Sequence, residues 1–285
     1  MNWYGLAILS LFFMGTQRFL YKVSAERQCN TAWTTFSFMA TVAVLSTVLF
    51  GLSETGVPDI PFLLFIALVN SASFLVATLT HIEALKHIPT GVAYPIIRLS
   101  TIIVVIFSIV FFKDPLSLWQ IVGIVLAMAV IFILTRDLHP DQETRKNIKR
   151  GILFVFISLL AGAVASISSK FAAMHTHKMA YIAVSYTAAT LVSFALREKF
   201  QTEEAEPNHR DAILIGLVMG IINLAGYYTF LKALSSGPLS IIASIGGMHF
   251  VIAILLSRLI YKEKLTRWRL LGLILTIVSI ILLRL

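Results

Sequence analysis

Charged residues are scarce in this 285-residue sequence. Asp, Glu, Lys and Arg together make up 13% of it, whereas hydrophobic residues make up 58%, and the mean hydropathy is +0.88. A soluble domain cannot cover its surface with so few polar side chains. The composition therefore predicts an integral membrane protein.

Missing residues and motifs exclude several kinds of chemistry. The single cysteine, Cys29, excludes an internal disulfide and a metal cage built from cysteines. No G-x-x-x-x-G-K-[ST] motif occurs, which excludes ATP hydrolysis by a P-loop. A pair of intramembrane aspartates is also excluded, because every aspartate falls in a predicted loop or at a helix end. The aspartates are Asp59, Asp114, Asp137, Asp141 and Asp211. We therefore expect no enzyme activity and no cofactor.

The formal net charge of +9 does not indicate nucleic-acid binding. The basic residues lie between apolar runs, where cationic cytoplasmic loops are expected, and not on a soluble basic face. His175 and His177 lie close together outside the apolar runs, but without a nearby carboxylate or cysteine they predict no metal site. The expected partners are a small-molecule substrate and membrane lipid, with the protein a monomer or a homodimer.

Ten stretches are long and apolar enough to cross a membrane, since a spanning helix needs about twenty predominantly apolar residues. Spans 1 to 10 cover residues 2–23, 30–52, 61–83, 91–112, 118–135, 151–173, 179–196, 212–234, 239–261 and 266–283. No basic residue precedes span 1, so we interpret it as a retained helix and not as a signal peptide. The predicted fold class is an all-α, polytopic membrane protein with ten transmembrane helices.

The sequence contains an internal repeat. Residues 113–123, KDPLSLWQIVG, match residues 262–272, KEKLTRWRLLG, and at the same offset of 149 residues 62–136 align with 211–285 without a gap. Eighteen of these seventy-five positions are identical. Two of the matches, Pro89 with Pro238 and Trp119 with Trp268, are not supplied by hydrophobic bias alone. The chain is therefore a duplicated unit.

Each half contains five spans, so the chain enters the two halves from opposite sides of the membrane. We predict a first five-helix repeat at residues 1–135, a charged linker at 136–150 and a second repeat at 151–285. Because the number of spans is odd, the repeats are inverted, and transporters with this plan hold their site near the midplane between the halves. Sixteen Lys and Arg residues fall at the odd-numbered connections and five on the other side, which predicts that both termini lie outside.

Arg98 and His249 are the main candidates for a substrate site. An ionisable side chain inside an apolar span is costly to keep there, so it indicates function. Arg98 lies about seven residues, or roughly 10 Å, into span 4, and its guanidinium would contact an anionic group. His249, at a comparable depth in span 9, would titrate or form a hydrogen bond. The alternative is structural, with Arg98 bonded to a backbone carbonyl and His249 neutral.

Interruptions in spans 4 and 9 lie next to these two residues. Pro95 precedes Arg98 by three residues, and Gly246 and Gly247 come just before His249. Breaks at matching places in the two halves of a transporter indicate its binding site. Proline and glycine are also common in membrane helices, where they only kink or pack the helix, and this alternative stays open.

Other polar residues would complete the lining of a cavity. Asn70 in span 3, Tyr94 in span 4, and Asn223 and Tyr227 in span 8 are the candidates, and Gln17 in span 1 would face the same cavity. The alternative for each is a hydrogen bond from helix to helix.

Proton coupling requires a group that titrates inside the membrane. Few carboxylates lie in the spans, which leaves His249 and Glu83 as the candidates. Glu83 would alternatively form an ion pair with Lys86, three residues further along the same helix.

Small residues and tryptophans predict packing and anchoring. Gly216 and Gly220 form a small-xxx-small seam on span 8, and Gly123 allows close packing of span 5. Trp119 and Trp268 lie at interface depth and are expected to anchor spans 5 and 10.

The repeated motif [K]-[DE]-x-L-[ST]-x-W-x-x-x-G at the last helix of each half, preceded by ALKHIPTGVA and ALSSGPLSII, resembles the drug/metabolite transporter superfamily, specifically its EamA-type proteins. The resemblance implies two inverted five-helix bundles around a central cavity, and secondary transport across a bacterial inner membrane. A basic residue late in the first helix of each half falls here on Lys22 and Lys170. The resemblance also implies cytoplasmic termini, against the charge count.

The expected function is therefore secondary transport, with export favoured, of small organic metabolites such as amino acids or drug-like solutes. A protein that flips a lipid-linked sugar or phosphate headgroup is the alternative, because basic residues inside the membrane would serve a phosphate as well as a carboxylate. A lateral opening between helices would favour the alternative, and a closed, solute-sized cavity would favour transport.

Overall fold

The protein is helical in nearly all of the chain that the computed structural model describes. The described residues are 2–27, 29, 31–53, 56–57, 59–87, 96–97, 99–135, 148–195, 209–262 and 266–285. Their helices are α1 (Trp3–Glu26), α2 (Thr31–Gly51), α3 (Ile60–His87), α4 (Ser100–Phe107), α5 (Leu118–Thr135), α6 (Ile148–His175), α7 (Lys178–Ala195), α8 (His209–Ser236), α9 (Leu239–Gly247), α10 (His249–Tyr261) and α11 (Arg267–Leu282). A π-helical segment, Ser108–Phe112, continues α4. No strand occurs in these ranges.

Several helices have the length and composition of membrane spans. Within the described ranges, the stretches long and apolar enough to cross a membrane are Trp33–Gly51, Ile60–Ala77, Lys149–His175, His209–Ser236 and Leu239–Tyr261. Shorter apolar helices fall in predicted spans 4, 5 and 10. The all-helical class is confirmed, and the count of ten spans stays a prediction.

The two halves of the chain are interleaved. α3 packs along α6 and α1 packs along α8, so the first helix of each half lies against the third helix of the other. α2 contacts α8 in the same way as α7 contacts α3, and α2 also packs on α7. α5 packs against α11. Each helix pair therefore has its counterpart when the two halves are exchanged, as expected for repeats related by a two-fold axis.

Two glycines allow α8 to approach the backbone of α2. A Cβ atom at Gly216 would lie 2.7 Å from the carbonyl oxygen of Thr34, and one at Gly220 would lie 2.5 Å from the Cβ of Thr41. Neither position has room for a side chain. The predicted small-residue seam is confirmed, and its partner is α2.

The last helices of the two halves are also in close contact. The Ser279 hydroxyl of α11 donates to the carbonyl of Gly123 in α5 at 2.8 Å, and a Cβ at Gly123 would lie 3.1 Å from the Leu283 nitrogen. Trp119 and Trp268, in the first turns of α5 and α11, are 57% and 43% exposed. The close packing at Gly123 is confirmed, and the tryptophans face outward, as interface anchors do.

The repeated motif begins with a lysine in the left-handed backbone conformation. φ is 52° at Lys113, after the π-helical segment, and 54° at Lys262, after α10. This conformation costs a residue with a side chain about 1–2 kcal/mol, and it ends the helix. In the first copy, Gln120 N–H donates to Ser117 Oγ at 3.2 Å and Ser117 N–H donates to Gln120 Oε1 at 3.0 Å, which is a capping box. The motif therefore stops one helix and starts the next.

The helix ends form two faces. Both ends of the chain lie on one of them, the terminal face, where the Tyr4 hydroxyl donates to the carbonyl of Ile280. On the opposite face, Arg27 at the end of α1 forms an ion pair of 3.2 Å with Asp211 at the start of α8. The assignment of the opposite face to the cytoplasm stays a prediction from the charge count.

Candidate functional site

A chain of buried hydrogen bonds connects α3, α6 and α8. Asn70 donates through Nδ2 to the Ser168 hydroxyl at 3.0 Å and to the carbonyl of Ala165 at 2.9 Å. The Ser169 hydroxyl shares a hydrogen bond of 2.9 Å with the hydroxyl of Tyr227. The four side chains of this chain of bonds are at most 9% exposed. They join the first half of the protein to the second.

A second chain of hydrogen bonds reaches α1. Tyr186 of α7 donates its hydroxyl to Asn223 Oδ1 at 2.7 Å, and Asn223 Nδ2 donates to Gln17 Oε1 at 2.9 Å. Asn223 is 5% exposed and Gln17 is 6% exposed. Tyr227 lies one turn beyond Asn223 in α8, and its ring centroid is 6.0 Å from that of Tyr186. The two chains together form the polar network, which consists of Gln17, Asn70, Ser168, Ser169, Tyr186, Asn223 and Tyr227.

The polar network lies deep in the bundle. Gln17 is 14 residues beyond Trp3 and Asn223 is 13 residues before Ser236, or about 20 Å from the terminal face at 1.5 Å per residue. Ser169 is six residues before the end of α6, which is about 9 Å. In a hydrocarbon core about 30 Å thick, the network therefore crosses the middle. Polar groups at that depth are costly unless they are paired.

His249 lies where the ninth span is broken. α9 ends at Gly247 and α10 begins at His249, and Met248 between them has φ −89° and ψ 6°. The His249 Nδ1 lies 2.6 Å from the carbonyl oxygen of Gly246. Since a carbonyl only accepts, this hydrogen bond places a proton on Nδ1. The predicted break at Gly246 and Gly247 is confirmed, and His249 caps the helix that ends there. The matching break predicted at Pro95 lies outside the described residues.

α1 contacts α10 next to the break at His249. A Cβ at Gly15 would lie 2.6 Å from the main-chain oxygen of His249, so α1 and α10 touch at this point. Gln17, two residues further on, points to α8 and bonds to Asn223. α1 therefore contacts α8 and α10 with different sides.

The structure brings together only some of the predicted site residues. Asn70, Asn223 and Tyr227 all belong to the polar network, whose described bonds run from helix to helix. Tyr94 and Arg98 lie outside the described residues, and so does the side chain of Glu83. The role of each of these residues in binding stays a prediction.

Several partners in the network were not predicted from the sequence. Ser168 and Tyr186 carry no charge and lie in spans without a proline or glycine break near them. Tyr181, 0% exposed, lies 3.4 Å from the Tyr227 hydroxyl and was missed for the same reason. The usable signal was a run of polar residues, Ser-Ser-Lys at 168–170, inside an apolar span.

Lys170 lies between the polar network and the terminal face. It is 7% exposed and donates through Nζ to the carbonyls of Leu234 at 2.6 Å and Gly237 at 2.8 Å. In a continuous helix the Leu234 carbonyl would accept from residue 238, but Pro238 has no N–H. Lys170 therefore supplies a donor that the turn between α8 and α9 lacks.

Asp114 contacts the same turn from the other half of the protein. Its Oδ2 accepts from the Ser240 N–H at 3.1 Å and from the Ser240 hydroxyl at 2.8 Å, and it also accepts from the Ser108 hydroxyl. Ser240 lies in the first turn of α9, where unpaired N–H groups and the helix dipole favour a carboxylate. Asp114 thus links the two halves near the terminal face.

His177 caps the start of α7 on the terminal face. Its Nδ1 accepts from the Ala180 N–H at 3.3 Å. Burial, and then the positive charge of Lys178, lower the pKa of His177 below its usual value. The neutral ring is therefore favoured, and only the neutral ring can accept this bond.

Apolar spans, interleaved halves and a polar network between them define a duplicated, multi-pass membrane protein. The model of the EamA-like transporter family matches residues 1–136 and 149–285. The chain therefore belongs to this family, as the repeated motif had indicated. Its members are transporters, so the class of the protein is membrane transport.

Solved structures support the fold. One of them, described only as the crystal structure of a protein, is similar over 98% of both chains with a TM-score of 0.77 and 15% sequence identity. At this identity the similarity concerns the fold alone. No curated protein matches the chain significantly.

Proposed function

We propose that the protein is a secondary transporter, acting as an exporter, of small organic metabolites such as amino acids or drug-like solutes. Its two halves would rock around a midplane cavity in a bacterial inner membrane, opening the cavity to one side at a time. The polar network is the observation that supports this proposal. Buried hydrogen-bonding groups in the middle of an apolar bundle are costly, and they indicate a path for a polar solute.

The substrate would be held by side chains from both halves. Asn70, Asn223, Tyr227 and Tyr94 would supply neutral hydrogen bonds, and Arg98 would orient an anionic group of the substrate. In the described conformation the network side chains bond to one another. A bound substrate would replace some of these bonds with its own. It would therefore bind more tightly to the conformation in which the halves have separated, and this difference in affinity would shift the equilibrium towards that conformation.

Proton coupling is assigned to His249 and Glu83. The Nδ1–H of His249 is bonded to Gly246, so a second proton would be added at Nε2. The bond that caps α9 is kept when the ring gains its charge.

The proposal is tested by export from cells that produce the full chain. We expect at least one small organic metabolite to move from the cells to the medium, compared with cells that carry an empty vector. The same metabolite, loaded into proteoliposomes with the purified protein, should leave them faster than it leaves protein-free liposomes. If no metabolite changes its distribution in either system, the protein is not an exporter of this class.

The site is tested with Tyr227→Phe, which removes one hydroxyl and its bond to Ser169. The loss of one neutral hydrogen bond, about 0.5–1.5 kcal/mol, should lower transport about 2- to 12-fold. The matched control is Tyr228→Phe, because the half-buried Tyr228 ring lies beneath the Lys232 ammonium, 4.9 Å from the ring centroid, and its hydroxyl is not part of the polar network. Equal transport by the two variants would remove Tyr227 from the site.

A further inference from the structure

Gln17 carries an incomplete set of hydrogen bonds in the interior. Its Oε1 accepts from Asn223 at 2.9 Å, and its side chain is 6% exposed. The two N–H groups of its Nε2 donate to no residue that the structure describes. A buried donor without a partner costs about 1–3 kcal/mol.

The unpaired end does not depend on how the amide is oriented. Oxygen and nitrogen of Asn and Gln side chains are assigned from the surrounding bonds. If the amides of both Asn223 and Gln17 were reversed, the Tyr186 hydroxyl would accept from Asn223 Nδ2, and Gln17 Nε2 would donate to Asn223 Oδ1. One end of the Gln17 amide would still be without a partner among the described residues.

The position of Gln17 is between the halves of the protein. Two turns earlier on the same side of α1, the Ser10 hydroxyl donates to the carbonyl of Gly226 at 3.0 Å. That bond only joins α1 to α8. The single O–H donor of Ser10 is used in it, whereas the Gln17 amide keeps an unpaired end. Gln17 contacts α8 from the same side of α1, at Asn223, where α1 crosses the middle of the bundle.

We propose that Gln17 contacts the substrate, and that the free end of its amide recognises an uncharged polar group, a hydroxyl or an amide. The inference rests on the proposed transport function and narrows its substrate class. The network side chains around Gln17 are amides and hydroxyls, which pair with neutral groups without the need for a counter-charge. A site that is built to hydrogen-bond such a group discriminates against an analogue that lacks it, because its own buried group then stays unpaired.

The test uses pairs of amino acids that differ in one neutral group. Purified protein in proteoliposomes is assayed for transport of L-threonine against L-valine and of L-glutamine against L-methionine. We expect the parent to prefer the polar member of each pair by about tenfold. Gln17→Leu should reduce this ratio to about one, whereas the control Ser10→Ala should keep the ratio of the parent.

Two outcomes of this assay overturn the inference. One is a Gln17→Leu variant that transports and keeps the parent's preference for the polar member. The other is a parent that transports none of the four probes, because the proposed substrate class is then wrong. The second outcome leaves the export assay with untargeted metabolites as the separate test of transport itself.

A second measurement covers the case in which Gln17→Leu fails to fold. Cys29 is the one cysteine of the chain, so single-cysteine variants can be made in a Cys29→Ser background. The neutral reagent 2-hydroxyethyl methanethiosulfonate should label Gln17→Cys, and saturating L-threonine should slow the reaction, while Ser10→Cys should stay unlabelled. Labelling of both positions alike, or of neither, contradicts a substrate contact at Gln17.

Discussion

Replacement of Lys170 by methionine tests the role of a buried charge in this membrane protein. Methionine has a similar length, so Lys170→Met removes the ammonium group and leaves the apolar part of the side chain. Two bonds are lost, to the carbonyls of Leu234 at 2.6 Å and of Gly237 at 2.8 Å. Because Pro238 has no N–H, the Leu234 carbonyl gains no helical donor in return.

The expected loss of stability follows from these two bonds. A hydrogen bond to a charged group contributes about 1.5–3 kcal/mol, so both together contribute about 3–6 kcal/mol. Removal of a largely buried ammonium also relieves its desolvation, which offsets part of the loss. The Phe112 ring, whose centroid is 5.6 Å from Nζ, packs equally well against methionine. We expect a net destabilisation of about 2–4 kcal/mol.

The assay is thermal unfolding of the purified full chain in detergent. With a shift of about 2–4 °C per kcal/mol for a chain of this size, Lys170→Met should unfold about 5–15 °C below the parent. Lys178→Met is the matched control, since Lys178 has the same charge on the terminal face but no hydrogen bond to a described side chain or carbonyl. An unchanged unfolding temperature for Lys170→Met would refute the role of this lysine in holding the turn, and a loss of transport without a loss of stability would make it a substrate contact instead.

Two further predictions concern the α2–α8 seam and the terminal face. Gly220→Ala should destabilise the protein by about 1–3 kcal/mol through overpacking, because its Cβ would meet Thr41 at 2.5 Å, whereas Gly51→Ala, with nothing within 4 Å, should leave unfolding unchanged. The depressed pKa of His177 means that the unfolded chain binds more protons below about pH 6.5, so the parent should lose stability as pH falls through that range. His177→Asn keeps a capping side chain and should show a weaker loss between pH 7.5 and 5, and an identical loss in both proteins would contradict the prediction.

The helical class and the break in span 9 were predictable from the sequence because their causes are local. Apolar length produces the spans, Gly246 and Gly247 weaken the helix just before His249, and Gly216 and Gly220 leave a smooth strip on α8. None of these inferences needs the identity of a neighbouring helix. The helices and the break are visible in the elements themselves, and the close contact with α2 confirms the strip.

The partners of the polar residues were not predictable from the sequence. A span that is apolar on all sides has no periodicity that tells which side faces which neighbour. The sequence around Asn70 therefore could not show whether its side chain lines a cavity or bonds to α6. Lys170 was expected as a basic residue late in its helix, but its function depends on a carbonyl that Pro238 leaves unpaired sixty-eight residues later. The Asn70 contact exists only after the halves interleave, and the Lys170 contact only after α6 packs near the end of α8 within the second half.

The polar network also shows how a symmetric scaffold carries an asymmetric set of polar groups. Asn70 joins α3 to α6 and Asn223 joins α8 to α1, and these two crossings are equivalent under exchange of the halves. The residues are not equivalent, because the repeat offset of 149 aligns Asn70 with Met219 and Asn223 with Phe74. The duplication therefore accounts for the two helix contacts. The asparagines at these contacts lie one helical turn apart when the repeats are superimposed. In the proposed transport, this difference would give the two ends of an asymmetric solute different hydrogen-bond partners.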